Sequence, residues 1–369
     1  MKKLLAVLFA ILMMTGCSGG EKVNISFDDS VNLSTVCLNI TGEITGSENG
    51  WYEIMRHSDG TADIVYTDIS TATRKVPDNF SAIDTPYGSL GGIFTTDGYV
   101  YYYHYGFPLT MGRQNNKSAI YQYDTHTNLI QTVFFDENIK FSINSVVVSD
   151  GKKLYFVQNS QDKSTIYAVD QDSLKAEVIY ETPQKITLKG GYKNLLIVFA
   201  ADDTAKYMQA VDVTRGQAQV LFESSFPWYV HSDGTLYNYQ DKPGTLKTYS
   251  LESGKSKQTT LFKEDKITSV KIGFPAVKDR YLFVRTDDRC FIYDLLTEKL
   301  TEVQRYLSDA VCAGSDDNVV CIMAQSEERI LLNNSLTVRI DYNYITIPFK
   351  DYLAGADSKT AVDNQIKYR

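Results

Sequence analysis

Four histidines, His57, His104, His126 and His231, are the side chains best suited to proton transfer or metal ligation near neutral pH. None lies in an H-x-x-x-H or H-E-x-x-H run, the spacings that place two imidazoles on one helix face around a zinc ion. His57 and His126 fall in turn-like sequence, whereas His104 and His231 border apolar runs and could meet only through folding. Acidic pairs stand at Asp202-Asp203, Asp287-Asp288 and Asp316-Asp317. None extends into the D-x-[DN]-x-[DN]-G loop that gives calcium its oxygen ligands, and Asp favours turns by bonding its own backbone. There is no G-x-S-x-G elbow to expose a nucleophile and no G-x-x-x-x-G-K-[ST] loop to cradle a phosphate. Cys37, Cys290, Cys312 and Cys321 form no C-x-x-C pair. Cys312 and Cys321 flank the turn around Asp316-Asp317 and are expected opposite one another on a hairpin, as buried thiols or as a cross-strand disulfide. No catalytic set, metal site or cofactor site is expected.

The fifth cysteine has its own chemistry. Lys2 and Lys3 precede an apolar run over residues 4–14, which leads into Met14-Thr15-Gly16-Cys17. That order is a secretory signal peptide's. Eleven helical residues span roughly 16 Å, too short for a hydrocarbon core of ~30 Å. With a cysteine at the cleavage point, the segment resembles the lipobox of bacterial lipoproteins, although Met14 stands where Leu, Val or Ile is usual. The resemblance implies that the Cys17 thiol is lipidated and that residues 1–16 are removed. It also implies that the protein sits on the extracytoplasmic side of a bacterial cell membrane, held by its N-terminal lipid. An ordinary secretory signal is the alternative. Residues 17–30, opening Cys17-Ser18-Gly19-Gly20, read as a leash.

Loss of Lys2 and Lys3 would move the formal charge from −8 to −10. A body this acidic lacks the Lys/Arg surplus that nucleic acid or an anionic bilayer requires. Neither is expected as a direct partner.

The elements that must position any site come from a repeat. A turn followed by an apolar, aromatic-rich run recurs seven times: Asn49-Gly50, Asp97-Gly98, Asp150-Gly151, Gly190-Gly191, Asp233-Gly234, Asp279-Arg280 and Asp317-Asn318 each precede one. A further strand follows most copies and ends at Asp68, Asp124, Asp170, Asp212, Ser250 or Asp294, a mean step of about 45 residues. Four strands at that period mark a β-propeller blade. Runs such as LLIVF, apolar at nearly every position, fit sheets buried on both faces. The expected fold is all-β: a propeller of seven four-stranded blades over residues 31–350, with six or eight as alternatives and a polar tail over 351–369. The seventh unit is expected to have strands at 311–313, 319–324 and 329–332. Residues 336–342 or 23–27 would close the ring. On these repeats, residues 31–347 resemble the propeller lipoproteins of bacteria, which are similar to TolB-type and quinoprotein-type propellers. The Gly-His and Trp-Asp marks of WD40 repeats, the kelch glycine pair and the sialidase Asp-box are absent. Propellers of this kind often serve as binding platforms.

One loop departs from the repeat. Between the second and third strands of the second unit lie residues 104–117, where other units have about four to six residues. It carries Tyr105, Phe107, Met111 and Arg113. Propeller geometry places it on one face with the links between blades, which carry Trp228, Tyr229 and Phe274. Aromatic rings gathered there suit a protein's apolar anchor or the face of a cell-envelope glycan. The other reading of Trp228 and Tyr229 is as caps of the core. Two expectations follow: a non-catalytic binding platform, or an extracytoplasmic polysaccharide lyase or hydrolase with His104 or His231 meeting carboxylates in the central channel.

Overall fold

The computed structural model describes residues 25–37, 44–47, 49–57, 61–80, 89–96, 98–105, 118–136, 146–202, 205–263, 266–272, 280–303, 311–312, 318–332, 335–354, 360–361 and 366–367. Among these, six sheets repeat one four-stranded antiparallel meander. Blade 1 is Ile44–Ser47, Gly50–Arg56, Ala62–Asp68 and Thr73–Lys75. Blade 2 is Ser89–Thr96, Tyr99–Tyr105, Ser118–Asp124 and Ile130–Asp136. Blade 3 is Val147–Ser149, Lys153–Asn159, Ser164–Asp170 and Ala176–Thr182. Blade 4 is Lys185–Tyr192, Leu195–Ala201, Lys206–Asp212 and Gln217–Glu223. Blade 5 is Tyr229–Val230, Thr235–Asn238, Thr245–Ser250 and Ser256–Thr260. Blade 6 is Ile267–Ile272, Tyr281–Thr286, Cys290–Asp294 and Lys299–Val303.

Apolar clusters fill the seams between successive blades. Ile64, Phe80 and Tyr102 lie between blades 1 and 2, and Phe94, Tyr101 and Phe156 between blades 2 and 3. The second strands are apolar throughout because they serve two seams at once. In blade 4, Leu196 and Val198 pack with blade 3 residues, while Leu195 and Ile197 pack with blade 5 residues. Sheets packed face to face around an axis in this way make a β-propeller.

The expectation of seven four-stranded blades is corrected to six. The residues after blade 6 form a sheet of another build: Val311–Cys312, Asn318–Leu332, Ser335–Pro348 and Thr360–Ala361. Its central strands run 15 and 14 residues, whereas no blade strand exceeds 8. One continuous strand replaces the two expected at 319–324 and 329–332, with a register shift between Ala324 and Ser326. The intervening Gln-Ser-Glu-Glu is polar but holds no Gly, Pro or Asn, so it supplies no turn while a partner strand satisfies its backbone. Residues 336–342 belong to the next long strand. Cys312 pairs with Val319, so it does not stand opposite Cys321. The first strand of this sheet lies against Ile44–Ser47, and the helix Phe349–Leu353 lies against Lys299–Val303. The odd sheet therefore stands between the last blade and the first. On that side blade 1 buries an ion pair, Glu53 with Arg74, at 4% and 8% exposure. Ile54, on the alternate face of the same strand, joins the cluster shared with blade 2.

The aspartates ending the third strands have a common task. Asp68, Asp124, Asp170, Asp212 and Asp294 each accept backbone N–H groups two or three residues on, and the Ser250 hydroxyl does the same for Ser253. The Ser70 hydroxyl holds the Asp68 carboxyl below the usual carboxylate range, the Thr127 hydroxyl does so for Asp124, and the Ser173 N–H for Asp170. Arg280 holds Asp294 well below that range. In Asp212 burial opposes ionisation, and the bonds from Thr214 outweigh it. A carboxyl depressed on folding contributes stability above its unfolded value of ~3.9, and this is lost as pH falls through the folded value. Thermal scans across pH are therefore expected to show a nearly constant Tm from pH 7 to about 5 and a progressive fall below about 4. Replacing Asp68, Asp124 and Asp170 by Asn should flatten that fall; an unaltered profile would take these turns out of the acid response.

The amino-terminal residues complete the axis. Ser34–Cys37 pairs antiparallel with Val147–Ser149, the inner strand of blade 3, and touches the inner strands of blades 2 and 4. This axial strand takes up space beside three blades. Just before it, Leu33 donates its N–H to the Lys193 carbonyl at 2.8 Å, and Asp28 donates its own to Asn194 Oδ1 at 2.9 Å. Lys193 Nζ lies 3.0 Å from both Asp29 and Glu252, clipping this segment across blades 4 and 5. The pair Gly190-Gly191, read from sequence as a turn, is instead part of the inner strand of blade 4; the turn is Lys193-Asn194. A Cβ on Gly191 would lie 2.5 Å from Val148 and 2.8 Å from Leu33, so the glycines make room for the passing chain. At the other end, Ile366–Lys367 pairs in parallel with the outer strand of blade 1.

Candidate functional site

An antiparallel meander sends alternate connections to opposite ends. Turns joining first to second and third to outer strands make one face, here the turn face. Loops joining second to third strands, and the links between blades, make the other, the loop face. Of the residues expected to dock a ligand on the loop face, Tyr105 ends the second strand of blade 2, paired with Ser89. Phe107, Met111, Arg113 and Phe274 lie outside the described residues, as does Cys17.

Trp228 and Tyr229 lie where the chain enters blade 5, and both turn inward. Trp228 is 8% exposed; its Nε1 donates to Ser224 Oγ at 2.9 Å, and its ring meets Phe222 edge-on at 4.9 Å. Tyr229 stacks on Tyr239 with centroids 5.6 Å apart. Burial, with the neighbouring Tyr239 hydroxyl, raises the Tyr229 hydroxyl well above its ordinary value. The exposed ring of this segment is Phe226, at 39%.

The histidines do not converge. His104 sits at the loop-face end of its strand, and His231 sits at the turn-face end of another. The His231 ring is buried, with Nδ1 3.0 Å from Asp233 of its own turn and Nε2 without a hydrogen-bond partner among the described residues. His57 meets Asp63 at 3.0 Å, and His126 is exposed beside Asp124. Among the described residues no three His, Cys, Asp or Glu side chains gather as metal ligands.

A cavity of about 290 Å³ opens at the loop-face end of blade 6, lined by Thr268, Ser269, Arg285, Thr286 and Asp287. A skipped pairing between Ile267 and Ser269 leaves Thr268 exposed as a bulge on the inner strand, and this shapes one wall. Below it Ser269 and Arg285 border a second space with Phe283, Cys290 and Tyr352. Arg285 and Phe283 alternate with Leu282 and Val284, which pack toward blade 5, so the cavity faces the odd sheet. Sequence reasoning missed these residues. Their only signal, the pair Asp287-Asp288, reads from sequence as a turn.

No family model and no curated protein matches the sequence. Solved structures do. The chain is similar to the acylaminoacyl peptidase of Pyrococcus horikoshii, at 12% identity and TM-score 0.55, over 92% of this chain and 54% of that one. It thus spans about half the length of that peptidase. It is also similar to the β-propeller domain of the Trilobed protease from Pyrococcus furiosus, a domain of open velcro topology. That match has 14% identity and TM-score 0.51, over 89% of this chain and 99% of that one. TolB from Acinetobacter baumannii aligns at 14% identity and TM-score 0.44, over 83% of this chain and 77% of that one. At such identities the first two matches speak for the fold alone, a β-propeller.

Proposed function

We propose that this chain is a lipid-anchored, extracytoplasmic propeller that acts as a non-catalytic platform, docking a protein or a cell-envelope glycan on its loop face. The observation that carries this reading is the axial strand. A channel enzyme needs open space at the axis and acid–base groups converging on it. Here Ser34–Cys37 takes up axial space beside blades 2, 3 and 4, and His104 and His231 lie at opposite ends of their blades. The exposed Phe226 and the cavity at blade 6 lie on the loop face, where the strands Tyr99–Tyr105 and Ser118–Asp124 that bracket the long insertion also end.

Two measurements test it. Cys17→Ala is expected to move the protein from the membrane fraction to the soluble one and to abolish incorporation of labelled palmitate. Unchanged partition would remove the anchor. Deletion of residues 106–116 is expected to abolish binding on a glycan array or to envelope proteins while leaving Tm nearly unchanged. Equal binding after that deletion would exclude the insertion as a docking element.

A further inference from the structure

The hydrogen-bonding capacity of the blade 6 cavity can be worked out group by group. The Thr286 hydroxyl is engaged: it lies 3.2 Å from Asp288 Oδ1 and accepts the Arg289 N–H at 3.1 Å. The Thr268 hydroxyl donates to the Arg285 carbonyl at 3.1 Å and keeps its lone pairs. The Ser269 hydroxyl and the Arg285 guanidinium have no hydrogen-bond or ion-pair partner among the described residues. Arg285 is unusual in this. Arg74, Arg215, Arg280 and Arg289 each meet a carboxylate, Glu53, Asp212, Asp294 and Glu302 respectively.

A half-buried guanidinium left unpaired in a cavity is a site for a planar anion, because its fork of donors matches a carboxylate's two oxygens. The other groups narrow the choice. Asp287 at the rim repels a phosphate dianion, and Thr268 and Ser269 complement hydroxyls. The volume lies near the lower end of the ~300–1,000 Å³ typical of small-molecule pockets, room for one ring and not for a chain. We propose that this cavity binds a single sugar ring bearing a carboxylate, with Arg285 taking the carboxylate and Thr268 and Ser269 taking ring hydroxyls. The proposal rests on the platform reading for its face, and on different residues from the insertion for its chemistry.

Calorimetric titration of the full chain with glucuronate, glucose, acetate and inorganic phosphate tests it. Glucuronate is expected to bind, with glucose and acetate each at least about tenfold weaker and phosphate weaker still. Arg285→Gln should weaken glucuronate by about tenfold or more. Arg285→Lys, which keeps the charge but loses the fork, should fall between. Both variants should melt within about a degree of the parent, since Arg285 holds no partner in place among the described residues. No heat with glucuronate, equal binding by Arg285→Gln, or phosphate or acetate binding as well as glucuronate would each overturn the proposal. Deletion of residues 106–116 should leave glucuronate binding intact. A failure here with array binding preserved would sink the sugar-acid site and spare the platform.

Discussion

Gly190→Val is expected to destabilise the protein by about 2–6 kcal/mol and to release its amino-terminal segment. Gly190 has φ +150°, which a β-branched residue adopts only under strain of ~1–3 kcal/mol. The new Cβ would also lie 2.6 Å from Thr35 Oγ1 and 2.8 Å from the Val230 Cβ, adding ~1–3 kcal/mol of overpacking. Against a typical total of ~5–15 kcal/mol, that is a large share. The strain relieves most readily by expelling the axial strand. Limited proteolysis should then cut within residues 25–37 before it cuts the blades, and the urea midpoint should fall. Gly151→Ala is the control: its φ is +86° but nothing lies within 4 Å of the added Cβ, so it should cost only the conformational part. If the two variants unfold alike, the packing of the axial strand against blade 4 is not what the glycine serves.

The second large effect is at the Glu53–Arg74 pair. Arg74→Met should cost ~3–5 kcal/mol, because it leaves the Glu53 carboxylate in a nearly dry seam without its counter-charge. The double variant Glu53→Leu, Arg74→Met removes both desolvation penalties and should recover most of that loss. Urea unfolding of the parent, the single and the double variant measures this directly. A double variant as unstable as the single one would mean that the pair is held by contacts beyond its own charges.

Much of the fold was legible because its signals are local. The alternation of Leu195, Leu196, Ile197 and Val198 into two seams, and the aspartates that close the third strands, follow from residues within a few positions of one another. What stayed hidden depends on distant partners. Gly190-Gly191 looks like a turn until Thr35, 156 positions from Gly191, lies against it. The unit after blade 6 has a blade's turn and apolar run, but its strand lengths are set by the pairing of Asn318–Leu332 with Ser335–Pro348 over fourteen positions. The same limit governs the site. Trp228 and Phe226 are equally aromatic neighbours in one segment, and only the seam between blades 4 and 5 decides that the first is filling and the second is presented. Arg285 reads as one charge in an apolar run. That no carboxylate among the described residues pairs with it is a fact about its surroundings, which no short-range pattern encodes.

Under the proposed lipid anchor, the clip at Lys193 would also set which way the molecule points. Ile25, where the described chain begins, lies on the turn face, and eight residue steps separate it from Cys17. Fully extended, these reach at most ~29 Å. Were Cys17 embedded in lipid as proposed, the turns around Asn194 and Glu252 would hang close above the headgroups, and the opposite rim would look outward. Anything soluble would then meet the far side of the disc first, without having to squeeze between protein and bilayer.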